Sequence, residues 1–163
     1  MANVISSDVD IMKLIKSEKY FEQPPRRESE NNRNINQRFE VVANSDSEKF
    51  SVFITYSVKN PIDFSIGLIY GEYLLYRCNG LHGTTRAGFY SAPHHAYPHS
   101  HTLTMNDILY SRQKYPSLST DLSGCYGNLF SARIFFFKFC SIIGYEKYFP
   151  VNEQMKLDLE NLL

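Results

Sequence analysis

The sequence lacks several features that would assign it to a class at once. Its 163 residues contain only three cysteines, without the spacing of a secreted disulfide framework. Its 17 basic and 17 acidic residues balance, so attraction to nucleic acid would require a local patch. No apolar run approaches the ~18 residues of a membrane span, and the N-terminus has no basic-then-apolar signal. We therefore expect a soluble, cytoplasmic protein.

Sharper catalytic signatures are absent as well. The chain contains no CxxC pair, no HExxH, no Walker loop, no GxGxxG and no GxSxG elbow. No motif therefore assigns the chain to the zinc proteases, the P-loop proteins, the dinucleotide-binding domains or the serine hydrolases.

The apolar pattern predicts an α+β fold built on an antiparallel sheet of four to five strands. Alternation of apolar and polar residues indicates four consecutive strands, at 39–43, 50–58, 64–70 and 73–78. Gly71-Glu72 has the composition of a two-residue type II′ hairpin turn. A fifth strand at 96–103 contains Pro98, which favours an edge or bulged position.

Helices are predicted to cover one face of this sheet. Cap residues and helical spacing of apolar residues indicate helices at 7–21, from Met105 to Pro116, at 129–143 and at 151–163. For domain organisation we expect an N-terminal helix within residues 1–21, a polar loop or linker at 22–38, and a single α+β domain at 39–163.

The histidines form the most informative segment. All five lie within 20 residues, at positions 82, 94, 95, 99 and 101, and no acidic residue lies between Glu72 and Asp107. A patch without carboxylates that gains positive charge below pH ~6.5 suits phosphate, ribose or an acidic partner. We predict that phosphate or nucleic acid is bound by four residues of this region, namely Arg77, Asn79, Arg86 and Tyr97.

The spacing of His99 and His101 points to a catalytic pair. In an extended strand they share a face, roughly 7 Å apart, where two imidazoles can act on a phosphodiester as base and acid or can chelate a metal. His82 joins them if the fifth strand pairs with the fourth. We predict His82, His99 and His101 as catalytic residues.

No metal and no cofactor are expected. The segment offers no carboxylate for magnesium or calcium. Zinc held by histidines alone stays an open alternative, without further support in the sequence. A structural role for His99 and His101, packed at a sheet edge and hydrogen-bonded to backbone, is the alternative. His94 and His95 follow Pro93 and are expected at the surface of a loop, because adjacent side chains diverge in an extended chain.

Several phrases together resemble a known family. They are a helical segment around residues 9–19, the strand phrase FSIGLIY at 64–70, LYRCNG at 75–80 followed by His82, and a later His-x-His before a helix. In this order they resemble the prokaryotic domain-of-unknown-function family DUF6978, over roughly residues 7–145. The layout is similar to that of toxins in bacterial toxin–antitoxin pairs, which implies a role in prokaryotic conflict systems.

Two hypotheses follow for the function. The first is a conflict-system protein that acts on nucleic acid, in the form of a metal-independent ribonuclease toxin in which His99 and His101 exchange protons and Arg77 binds phosphate. The second is a non-catalytic module, anti-defence or regulatory, that binds a protein through the same acid-free aromatic and histidine face. The expected partners are RNA or another nucleic acid, a cognate antitoxin or a host protein, and no membrane.

Overall fold

A computed structural model describes residues 4–43, 47–82 and 92–150. Its helices are α1 (Asp8–Lys16), α2 (Met105–Leu109) and α3 (Leu129–Phe139), with 3₁₀ helices at Pro93–Ala96 and Tyr145–Lys147. Its strands are β1 (Lys19–Tyr20), β2 (Ser29–Glu30), β3 (Asn34–Ala43), β4 (Lys49–Ser57), β5 (Phe64–Tyr70), β6 (Tyr73–Asn79), β7 (His99–Thr102) and β8 (Ser119–Asp121). No helix among these residues has the length and apolar character needed to cross a membrane.

The strands form one antiparallel sheet with the order β1-β3-β4-β5-β6-β7-β8, and β2 also pairs with β3. The predicted α+β class and antiparallel sheet are confirmed, but the sheet has eight strands within the described ranges, whereas the sequence predicts four to five. The additional strands β1, β2 and β8 have two or three residues each, too few for an alternating pattern to be visible in the sequence.

The predicted linker at 22–38 contains strand structure. β2 lies inside it, and β3 begins at Asn34, where its polar first half pairs with β4 from Asn34↔Ser57 to Arg38↔Phe53. Ladder hydrogen bonds use backbone groups, so a polar segment can pair with a strand when its side chains need no burial. β1 likewise joins the N-terminal region to the sheet through Lys19↔Ala43.

Three of the four predicted helices are present among the described residues, and each is shorter than expected. α1 begins after Ser7, whose hydroxyl accepts a hydrogen bond from the Asp10 amide, and it ends at Lys16. α3 ends at Phe139, and the chain that follows it pairs with β1. The Ser141 carbonyl accepts a hydrogen bond from the Lys19 amide, and Ile142 forms a parallel bridge with Lys19. The predicted helix at 151–163 lies outside the described residues.

The capping box that begins α2 is confirmed, but the helix does not continue to Pro116. Thr104 and Asp107 form the reciprocal cap hydrogen bonds, and α2 ends at Leu109. The buried Asp107 carboxylate also accepts a hydrogen bond from Ser117, so the chain has to fold back soon after the first turns. This reversal passes through Arg112, whose φ is +50°, and it delivers the chain to β8.

One face of the sheet is covered by helices, as predicted. The register aligns Phe39, Val52, Leu68 and Tyr76 across four strands, all of them buried. Phe136 and Phe137 of α3 are fully buried against this face, and the Phe139 ring stacks on Tyr76 at 4.3 Å. The phenylalanine-rich helix therefore supplies much of the core.

The opposite face, which we call the polar face, carries two aligned rows of mostly polar side chains. The first row is Asn36, Thr55, Ser65, Asn79 and His99, and the second is Arg38, Phe53, Gly67, Arg77 and His101. Because side chains alternate along a strand, apolar residues that face the helices force these neighbours to the other side.

A buried lysine connects the ends of α1 and α3. Lys19 is fully buried, and its Nζ donates to the carbonyls of Ile15 at 2.8 Å, Ser17 at 2.7 Å and Cys140 at 3.1 Å. Carbonyls at helix C-termini have no partner within the helix and favour a cation.

We predict that Lys19→Met lowers the free energy of unfolding by about 3 kcal/mol, because three carbonyls lose their donor. Urea denaturation measures the change, with exposed Lys13→Met as the control. Equal stability of the two variants would contradict the role given to Lys19.

Candidate metal centre

The pairing of β6 with β7 assembles the centre. Asn79 lies opposite His99, and Arg77 lies opposite His101. Beyond the end of β6 the chain continues through Gly80, where a Cβ atom would lie 2.1 Å from the Ile62 carbonyl oxygen and 2.5 Å from the Phe64 ring. Glycine therefore permits the close approach that brings His82 to this edge of the sheet.

All five histidines form one cluster. Ring centroids lie 5.1 Å apart for His82 and His99, 5.1 Å for His99 and His101, and 4.9 Å for His94 and His99. His95 contacts His82 at 4.0 Å and is tied to it by a backbone hydrogen bond from the His82 amide to the His95 carbonyl. His94 and His95 are thus half-buried in the cluster, whereas the sequence placed them at a loop surface.

This correction for His94 and His95 has a local cause. They lie in the 3₁₀ helix Pro93–Ala96, whose backbone is turned, so the argument from an extended chain does not apply. Their rings are perpendicular to each other at 4.4 Å and both reach the strand histidines.

Backbone carbonyls fix the tautomers of the two strand histidines. His99 Nδ1 lies 2.8 Å from the Tyr97 carbonyl oxygen, and His101 Nδ1 lies 3.2 Å from the Leu118 carbonyl oxygen. A carbonyl oxygen only accepts, so each Nδ1 carries the proton and each Nε2 has a lone pair. Metal-ligating histidines show this arrangement, in which the outer nitrogen donates to a backbone carbonyl.

The lone pair of His101 has no partner among the residues that the structure describes. His101 is 4% exposed, and its Nε2 is buried without any hydrogen bond to the described residues. An unsatisfied buried polar atom costs free energy and indicates an absent ligand or water. The ring nitrogens offered by His94, His99 and His101 lie within 4.8 Å of one another, so they form a candidate ligand group whose rings would have to close to about 3.3 Å around one zinc ion.

His82 lies next to this triad. Its Nε2 is 3.2 Å from His99 Nε2. Two nitrogens that bind one tetrahedral zinc ion at 2.0–2.1 Å are separated by about 3.3 Å, so this pair matches a ligand edge. In the absence of an ion, His82 Nε2 can donate to His99 instead.

Burial favours the neutral form of His82, His99 and His101. It lowers the pKa of His82 to about 3 and that of His101 to about 4, with further lowering by neighbouring histidines and Arg77. The pKa of His99 is lowered by the same causes, burial first. Neutral imidazoles present lone pairs rather than protons at neutral pH.

Three of the four predicted phosphate-binding residues surround the cluster. The Asn79 Nδ2 lies 3.1 Å from His99 Nε2, while its Oδ1 accepts from the Ser65 hydroxyl at 2.6 Å. Tyr97 contributes its carbonyl to His99 and places its ring 6.3 Å from that imidazole. Arg77 is half-buried on the polar face. Arg86 lies outside the described residues.

Two residues of the surroundings were missed by the sequence analysis. Buried Tyr126 has its hydroxyl 2.9 Å from the Asn79 carbonyl and 3.0 Å from the His99 carbonyl, so it bridges β6 and β7 behind the cluster. Asp121 of β8 pairs with His99 in the register and is the nearest carboxylate in that row. A lone tyrosine in a loop and a three-residue strand leave no pattern from which either could be found.

Comparison with known proteins gives no match: no family model fits this chain, and neither a curated protein nor a solved structure is similar to it. The resemblance to DUF6978 therefore stays a prediction, and the chemistry has to be argued from the centre itself.

Removal of the Tyr126 hydroxyl tests how the centre is supported. We predict that Tyr126→Phe lowers the free energy of unfolding by about 1–2 kcal/mol, because two buried carbonyls share its donor. Chemical denaturation gives the value, and Tyr110→Phe, where the ring is 81% exposed, is the control. A change no larger than that of the control would show that the bridge is unimportant.

Proposed function

We propose that this protein binds a divalent transition-metal ion through His94, His99 and His101. The observation that carries the proposal is the buried Nε2 of His101, which has no partner among the described residues, in a residue that offers a ring nitrogen within 4.8 Å of ring nitrogens of His94 and His99. The fixed Nδ1 protons of His99 and His101 orient both lone pairs for ligation.

Zinc fits this donor set best. Imidazole suits zinc, copper, iron and nickel, whereas magnesium and calcium require oxygen ligands that the triad does not offer. Three histidines leave one position of a tetrahedral zinc ion for water or substrate, as in catalytic zinc sites. His82, His94 and His95 are half-buried, so an ion can enter from their side.

Action on nucleic acid is a second candidate, and the position of Arg77 opposite His101 supports it. In a metal-independent mechanism one histidine has to be protonated to act as the acid. The low pKa values of His82 and His101 oppose this role at neutral pH. We therefore expect any cleavage of RNA to require the metal. The protein-binding module stays a prediction.

The metal proposal predicts a gain in stability. With free zinc 100-fold above its Kd, the free energy of unfolding rises by about 2.7 kcal/mol. Substitution of a residue that only supports a metal ligand typically weakens metal binding about 10–100-fold. His99→Ala and His101→Ala each remove a ligand, so we expect them to weaken zinc binding by more than this. Titration with cobalt, followed by its visible absorption, measures the affinity.

His95→Ala is the matched control, because His95 belongs to the cluster but not to the triad. We expect it to change the affinity less than tenfold. Absence of stabilisation by zinc, or an equal loss in all three variants, would overturn the assignment of the triad. Far-ultraviolet circular dichroism of each variant in chelator reports whether it folds.

A chelator separates the two forms of the nuclease hypothesis. We predict that any RNA cleavage by the wild-type protein is abolished by EDTA and restored by zinc. Cleavage that persists in EDTA, and is lost in the His99→Ala, His101→Ala double variant, would support the metal-independent mechanism instead.

A further inference from the structure

A second site lies on the polar face beside the histidine cluster. A cavity of about 270 Å³ opens between β3, β4, β5 and β6. The polar residues that form it include Asn34, Thr55, Ser65, Arg77, Asn79 and His82. Its size is at the small end of ligand pockets, which suits a small polar group.

Arg77 is the feature of this cavity that needs an explanation. It is half-buried, its Nε is buried without a hydrogen bond, and no carboxylate of the described residues forms an ion pair with it. Burial of a cation without a partner is unfavourable. The neighbours of Arg77 in its row are Gly67 and His101, and neither supplies negative charge.

The guanidinium selects the chemistry of the missing partner. Its planar fork donates in parallel to two oxygens of one anion, which is the geometry of phosphate recognition. The floor of the cavity adds the hydroxyl oxygens of Thr55 and Ser65, whose protons are donated to Asn36 and Asn79. These oxygens are left to accept hydrogen bonds from a ligand, such as those of sugar hydroxyls.

One acidic residue, Asp63, also lines the described part of the cavity, at the end away from Arg77. The Leu81 amide donates to the Ile62 carbonyl, which continues the register of β5 and β6 beyond the strands. Asp63 therefore lies opposite Leu81, four residues beyond Arg77. That is a distance of roughly 13 Å along the strand. The cavity therefore has a positive end and an acceptor end.

We infer that this cavity binds the phosphoryl group of a small phosphorylated ligand, with Arg77 as its anion-binding residue. The sugar or base attached to that phosphoryl group extends over Thr55 and Ser65 toward Asp63. His82 lines the cavity and also contacts His99, so the bound phosphoryl group would lie next to the proposed metal ion.

The test uses the full chain in EDTA, so that its result does not depend on the metal. Inorganic phosphate, adenosine 5′-monophosphate and a single-stranded RNA decamer are titrated separately and followed by amide shifts in NMR spectra. We expect phosphate and the mononucleotide to shift Ser65, Arg77 and Asn79, and Arg77→Gln to weaken binding at least tenfold. Binding of the RNA but of neither phosphate nor the mononucleotide would contradict a small ligand, because the phosphoryl group bound by Arg77 would then belong to a nucleic-acid strand.

Arg38→Gln is the matched control, because Arg38 lies in the same row of the polar face as Arg77 but outside the cavity. It should leave the affinity unchanged. Arg77→Lys retains the charge without the fork, and an intermediate affinity is expected. The inference is overturned if none of the three probes binds, or if Arg77→Gln binds them like the wild-type protein.

Discussion

The antiparallel pairing of β6 with β7 is the constraint on which the candidate chemistry depends. Asn79↔His99 and Arg77↔His101 bring together residues 20 and 24 positions apart in the chain. Tyr76 and Cys78, the neighbours of Arg77 along β6, are buried in the core, so strand alternation leaves the polar face for Arg77 and Asn79. Their pairing with β7 brings His99 and His101 to the same face. A shift of one residue in this pairing would reverse every side chain.

The cluster combines features that do not favour stability by themselves. His99 and His101 are buried polar side chains, and the Nε2 of His101 has no partner among the described residues. Their Nδ1 atoms are nevertheless held by backbone carbonyls, and Tyr126 bridges the strands behind them. Two rings held by backbone carbonyls, with the lone pair of His101 Nε2 unpartnered among the described residues and that of His99 Nε2 facing Asn79, have the features of a ligand site whose burial cost is met on folding.

The sequence predicted the parts of this arrangement that depend on local pattern. The hairpin with Gly71 at φ +58°, the strand Phe64–Tyr70, the Thr104–Asp107 cap and the phenylalanine-rich helix follow from residue spacing alone. The approach of His82 to His99 and His101 was inferred from the order of the strands, and the structure brings these rings together.

Other parts depend on tertiary contacts that leave no pattern in the sequence. β1, β2 and β8 pair with their neighbours over only two or three residues each, and no pattern in the sequence distinguishes the 3₁₀ turn that brings His94 and His95 inward from an extended chain. The sequence also does not show which ring nitrogen of each histidine lies next to a carbonyl oxygen. In the structure this nitrogen is Nδ1 for both His99 and His101, which leaves Nε2 with a lone pair and favours metal binding over proton transfer.

The most direct test of the central claim is a crystal structure of the zinc-loaded protein, with anomalous data collected at the zinc edge. The account predicts a single anomalous peak about 2.0–2.1 Å from Nε2 of His99, Nε2 of His101 and a ring nitrogen of His94. A peak at another site, or no peak in the cluster of the zinc-saturated protein, would contradict it.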